Sequence, residues 1–106
     1  MQFRGGMSEL MRQAARMQRK IEETKTKLQD QEVTASAAGD KVKAVVTYGG
    51  KVSKVEIDPE FLKSEGIDMA LDGICAAVNT ALGEARKAMD AELEKVTGGV
   101  KIPGMV

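Results

Sequence analysis

Lys41-Val42-Lys43-Ala44-Val45-Val46-Thr47-Tyr48-Gly49-Gly50-Lys51-Val52-Ser53-Lys54-Val55-Glu56-Ile57-Asp58-Pro59 carries the reading that decides the fold. Val42, Ala44, Val46 and Tyr48 alternate with more polar residues, the two-residue period of a strand with one buried face. Gly49-Gly50 is a two-residue hairpin signal, because both glycines can take the positive φ of primed turns, and Val52 to Ile57 resumes strand-like sequence beyond it. Asp58-Pro59 ends the second strand: proline has no amide to donate to a ladder and suits the first turn of a helix, with Asp58 as its cap. Upstream, Val33-Thr34 and the small run Ala35 to Gly39 supply one more strand. A three-stranded antiparallel meander is the simplest arrangement.

Helices flank it on both sides. Leu10, Ala14, Met17, Ile21, Thr24 and Leu28 recur at alternating steps of four and three, the narrow seam of a helix that packs on another helix. Ser8, following Gly5-Gly6, is placed to cap this helix, which runs to about Gln29 or Gln31. After a short helical turn through Phe61-Leu62, a second long helix begins near Asp68 with Leu71, Cys75, Val78, Leu82, Ala85, Met89, Leu93 and Val96 on its seam. Gly98-Gly99 stop it and Pro103 prevents resumption. The fold class is α+β, in the order α-β-β-β-α, in one domain over residues 1–106 with flexible tails expected at 1–6 and 100–106.

The chain has 106 residues, sixteen basic and sixteen acidic, so no overall charge draws it to a polyanion and any such binding needs a local patch. Two Phe, one Tyr, no Trp and seven Met leave little large apolar bulk, and a second copy is expected to complete the core. One cysteine forms no internal disulfide and fits a reducing compartment, the cytoplasm. No apolar run approaches the roughly 18 residues of a membrane span. There is no histidine, which removes the commonest general base and metal ligand. Cys75 sits on an apolar seam and reads as a small core residue rather than a nucleophile. Acid pairs such as Glu22-Glu23 and Asp90/Glu92 read as solvated surface, and the paired glycines match no phosphate loop. No catalytic residue, cofactor or metal is expected.

Charge is nevertheless placed. Met1 to Lys20 holds Arg4, Arg12, Arg16, Arg19 and Lys20 against Glu9 alone. Arg12, Arg16, Arg19, Lys20 and Lys27 lie off the apolar seam of the first helix. The plain reading is an exposed face kept soluble, with Glu9 and Glu23 partly neutralising it. Against it, arginine outnumbers lysine here, and arginine is the better bidentate partner of phosphate. No aromatic lies between Met7 and Gln31 for bases to stack on, so backbone contact to duplex DNA fits better than single-strand or RNA reading. A rival class is a non-catalytic protein adaptor: Glu56, Asp58, Glu60, Glu65, Asp68 and Asp72 against Lys63 form an acidic stretch that could dock a basic protein surface.

Gly5-Gly6-Met7 with Leu10-Met11-Arg12-Gln13-Ala14 and Met17-Gln18, then Val55-Glu56-Ile57-Asp58-Pro59, Ala76-Ala77-Val78-Asn79-Thr80-Ala81, and Gly98-Gly99 with Ile102-Pro103-Gly104 occur here in that order. In these stretches the chain resembles the YbaB/EbfC family of bacterial nucleoid-associated proteins over nearly its whole length. The resemblance implies a homodimer joined through strands and central helices, with long helices projecting like tweezers. It also implies binding of double-stranded DNA with little sequence preference, a role in organising the nucleoid and modulating gene expression, and neither enzymatic activity nor cofactor. Arg12, Arg16, Arg19 and Lys20 carry over as DNA contacts, with Arg86 and Lys87 added on the second helix.

Overall fold

In the structure, a computed structural model that describes residues 2–98, with side chains from residue 6, five elements follow in the expected order: α1 (Gln2–Leu28), β1 (Glu32–Ala37), β2 (Val42–Thr47), β3 (Val52–Ile57) and α2 (Pro59–Thr97). The strands form one antiparallel sheet in the order β1-β2-β3. The expected tail at 100–106 lies outside the described residues. None of the described helices is long and apolar enough to cross a membrane.

Two boundaries differ from the sequence reading. α1 begins at Gln2 rather than at Ser8, because a glycine pair lowers helix propensity by about 1 kcal/mol per residue without forbidding helical φ and ψ as proline does. In the β2–β3 turn only Gly50 takes positive φ (92°). Tyr48-Gly49-Gly50 is a three-residue connection, closed by Gly50 N–H to the Thr47 carbonyl at 2.9 Å and Thr47 N–H to the Lys51 carbonyl at 2.8 Å. Gly49 is needed for another reason. Its amide donates to the Gln29 carbonyl at 3.0 Å, and a Cβ there would stand 3.1 Å from that oxygen. With Tyr48 N–H donating to the Gln31 carbonyl at 2.8 Å, this turn fastens the end of α1 to the sheet.

The start of α2 is as expected. Asp58, extended at φ −65° and ψ 122°, caps it by accepting from the Glu60 amide at 2.9 Å, and Pro59 follows at the first helical position. Gly66, at φ 86° and ψ 171°, breaks the helix between the short turn and the long segment. Gly98, left-handed at φ 65°, ends it with its amide on the Glu94 carbonyl.

Val42, Ala44 and Val46 of β2 are fully buried beneath Ala77, Ala81 and Ala85 of α2. Small residues at this contact bring the helix backbone close: a Cβ on Gly73 would lie 2.9 Å from Val42 Cγ2. The stripe of α2 that reaches the sheet is therefore Ala70, Gly73, Ala77, Ala81 and Ala85; the line the spacing singles out shares Ala85 with it, and Val78 and Leu82 of that line pack at its side, partly buried. Of that line, Met89 and Leu93 are buried, and with Val96 they pack on Met17, Ile21 and Leu28 of α1. Leu71 and Cys75, at its other end, are exposed. The expectation that Cys75 is a core residue is thus corrected: alanines and a glycine approach the sheet more closely than Leu71 and Cys75 allow, so the helix turns its small face inward.

Candidate nucleic-acid interface

Ile21 has no exposed surface, and its burial against Met89 and Leu93 fixes the rotation of α1. At 3.6 residues per turn, Arg12 and Arg19 then point away from α2, with Arg16 turned toward the Lys20 side. Lys20 and Lys27 fall on one flank. Gln13, Arg16, Met17, Lys20 and Val96 line one shallow depression there, and Thr24, Lys27, Leu28, Glu92, Lys95 and Val96 line the next. All five basic residues expected on α1 are exposed along one side of the rod. From Arg12 to Lys27 the row measures about 22 Å at 1.5 Å per residue, which on a duplex corresponds to about six base pairs at 3.4 Å each.

Charge within the row is not uniform. Glu9 sits beside two of the arginines, with its carboxylate oxygens 3.5 Å from Arg12 Nη2 and 3.3 Å from Arg16 Nη2. All three side chains are about half exposed or more, so these contacts are readily exchanged for others. Among the described residues no ion pair engages Arg19, Lys20 or Lys27. Any phosphate meeting the row finds three cations free and two shared with one carboxylate.

Lys95 was not legible as part of this surface. It lies opposite Lys27 across the second depression, on α2, and its ammonium is held by Glu92 Oε2 at 2.7 Å. That hydrogen bond and the carboxylate charge raise its pKa, so it remains a cation. No local pattern joins residues 27 and 95. Arg86 and Lys87 are a different case. Both are exposed, but Arg86 lines a separate depression with Tyr48, Gly49, Gly50, Leu82 and Met89, so the structure does not bring it onto the α1 row. Among the described residues, no cluster of three or more Cys, Asp or Glu is placed to hold a metal ion.

A second surface is apolar. Leu71 is 51 % exposed and Ile67 61 %, and both lie on α2 beside the sheet. On β3, Val55 pairs with Ala44 and Val52 with Val46, so register puts both valines on the helix-facing side. A β-bulge between Val45 and Val46 adjusts the phase that makes this possible. α2 nevertheless lies over β1 and β2, and Val52 and Val55 remain exposed. The edge strand and the lower seam of α2 together leave an uncovered apolar surface.

Comparison with known proteins places these features. The profile of the YbaB/EbfC DNA-binding family matches residues 3–100. A nucleoid-associated protein of Alkaliphilus metalliredigens is 39 % identical over 99 residues, covering 93 % of this chain and 87 % of its own length. One of Myxococcus xanthus is 40 % identical over 95 residues, covering 90 % of each. Among solved structures, the uncharacterized protein HP0035 from Helicobacter pylori superposes with a TM-score of 0.58 at 16 % identity, over 80 % of this chain and 94 % of that one. It shares the fold.

Proposed function

The chain belongs to the YbaB/EbfC DNA-binding family, and on that premise we propose that it binds duplex DNA through phosphate contacts from the exposed basic row of α1, as a homodimer that organises the nucleoid and modulates transcription. The observation that carries the reading is the row itself. Arg12, Arg16, Arg19, Lys20 and Lys27 stand on one exposed side of a helix whose rotation is fixed by buried Ile21. Lys95 joins them across the α1–α2 groove. A helix that presents cations along one exposed side, with Glu23 standing between Lys20 and Lys27, meets phosphates without reading base edges, so binding of this kind has little sequence preference. Arg86 and Lys87 stand apart and serve, on this reading, as secondary contacts at most.

The homodimer rests on the uncovered apolar surface. Leu71, Cys75 and Ile67 of α2 and Val52 and Val55 of the edge strand β3 are all exposed, and on this reading a second copy covers them with a matching helix and edge. Two copies would carry two basic arms. No residue is assigned to catalysis.

The test is a titration of the protein against a random duplex of ~40 base pairs across a range of salt, with R12A/R16A alongside. Four to eight phosphate contacts per dimer give a log-log slope of about −4 to −7. The double variant should bind all sequences more weakly and shift the slope toward zero by about 0.9 for each phosphate no longer neutralised. A slope near zero in the native protein, or a weakening confined to one sequence, would overturn the phosphate mechanism.

A further inference from the structure

In the first turns of α1 that carry described side chains, the two sides of the helix differ in chemistry. Met7, Leu10, Met11, Ala14 and Ala15 fall within an arc of about 140° at roughly 100° per residue, while Glu9, Arg12 and Arg16 fall on the opposite side. Leu10 is 63 % exposed, Met11 70 % and Met7 60 %, and both alanines are exposed. Met17 is the next apolar residue along this side, and there the packing on Met89 and Leu93 begins. From Met7 to Ala15 the apolar side is thus bare among the described residues, and no charged residue stands on it. An arm lying with Arg12 and Arg16 on phosphate turns this side away from the duplex.

A second copy of the same arm fits this side. Laid antiparallel, two stretches from Met7 to Ala14 overlap most fully about a midpoint between Leu10 and Met11. That register sets Met7 of each copy against Ala14 of the other, large on small, and brings Leu10 to Leu10 and Met11 to Met11 across a two-fold axis. Charge permits it. With helix axes about 8–10 Å apart and the cations on the outer faces, the two basic rows stand about 20 Å from each other, beyond the Debye length of about 8 Å at physiological salt. Size limits its strength: the bare side chains bury on the order of 300–400 Å² per copy, less than the roughly 600–1,000 Å² per partner of a stable complex. Such a contact forms where copies are already gathered, as along one duplex, which holds neighbouring arms at an effective concentration of about millimolar.

We propose that the bare side of α1 is a contact between copies of this chain: arms from neighbouring molecules pair antiparallel through Met7, Leu10, Met11 and Ala14, leaving both basic rows facing outward. On DNA this pairing links adjacent bound molecules and makes their binding cooperative, a consequence that rests on the phosphate reading above, whereas the pairing itself does not.

Oxidative cross-linking of the full chain carrying C75S tests the register. L10C should form disulfide-linked pairs, and M7C should link to A14C when the two are mixed but not to itself. Without DNA these links should appear as the protein is raised to about millimolar, and by light scattering the linked species should have at least twice the mass of the unlinked one. Separately, L10Q/M11Q should bind a duplex of ~20 base pairs as tightly as the native protein does, yet on a duplex of ~200 base pairs its Hill coefficient should fall from above one to about one. No links at about millimolar protein, M7C linking to itself as readily as to A14C, links that leave the mass unchanged, or cooperativity that survives in L10Q/M11Q would overturn the pairing. Native protein that fails to bind either duplex would instead overturn the phosphate mechanism, and the cross-links made without DNA would still decide the contact between arms.

Discussion

Glu9 is the residue whose removal tells most about the basic row. Its carboxylate lies 3.5 Å from Arg12 and 3.3 Å from Arg16 and adds one negative charge where phosphate would sit. E9Q keeps the shape and removes the charge. DNA affinity at low salt should rise by about two- to fivefold, the scale of one exposed ion pair, read in the same titration as R12A/R16A. A second residue-scale expectation concerns Asp58. Its carboxyl pKa is held below the usual value, first by the Glu60 amide and then by the Lys41 ammonium at 3.3 Å. A group depressed in the folded state contributes stability that is complete above its unfolded pKa, near 3.8, and is lost as pH falls through the folded value. D58A should therefore lower the thermal midpoint at pH 7, D58N should restore part of it, and the difference between native protein and D58A should shrink on acidification below about pH 4.

At the scale of elements, the contact between α2 and β2 is set by residues with almost no side chain. A methyl on Gly73 would meet Val42 Cγ2 at 2.9 Å, and a buried β-branched valine has little freedom to turn aside. G73A gains helix propensity of about 1 kcal/mol yet should be net destabilising, by about 1–2 kcal/mol, because overpacking outweighs the gain. V42A combined with G73A should recover more stability than the two single changes predict by addition, which a double-mutant cycle in denaturant measures. The strands, the Asp58-Pro59 helix start and the Gly98 stop were all legible in advance, since each depends on residues adjacent in sequence. The inward face of α2 was not. Leu71, Cys75, Val78 and Leu82 outweigh Ala70, Gly73, Ala77 and Ala81 on any scale of apolar bulk, whereas the sheet selects for close approach.

The whole molecule is a rod, 76 Å long and about 20 Å across, with α1 reaching past one end of α2. Each long helix covers half of the other's seam: Met17, Ile21 and Leu28 meet Met89, Leu93 and Val96. Of the remainder, Leu10 and Ala14 of α1 and Leu71 and Cys75 of α2 are exposed, while Ala85, Val78 and Leu82 pack on the sheet core. L71D places a charge in the centre of the uncovered face of α2 and should convert a dimer to a folded monomer, seen as a halved mass by light scattering with an unchanged far-ultraviolet spectrum. The monomer should bind DNA with about half the salt slope, because one arm is left. Retention of the dimer in L71D would move the interface elsewhere.

Sequence by itself determined the order of elements, the antiparallel meander, the capped start and left-handed stop of α2, the family and the basic row on α1. All of these follow from local periodicity, turn chemistry or the side chains along one helix. Tertiary structure alone decided that α2 meets the sheet through alanines and Gly73, that Cys75 is exposed, that Lys95 faces Lys27 across a groove, and that Arg86 does not join the row. The physical reason is that these are relations between residues far apart in the chain, settled by how closely two backbones approach and by how one buried residue, Ile21, fixes the rotation of a helix.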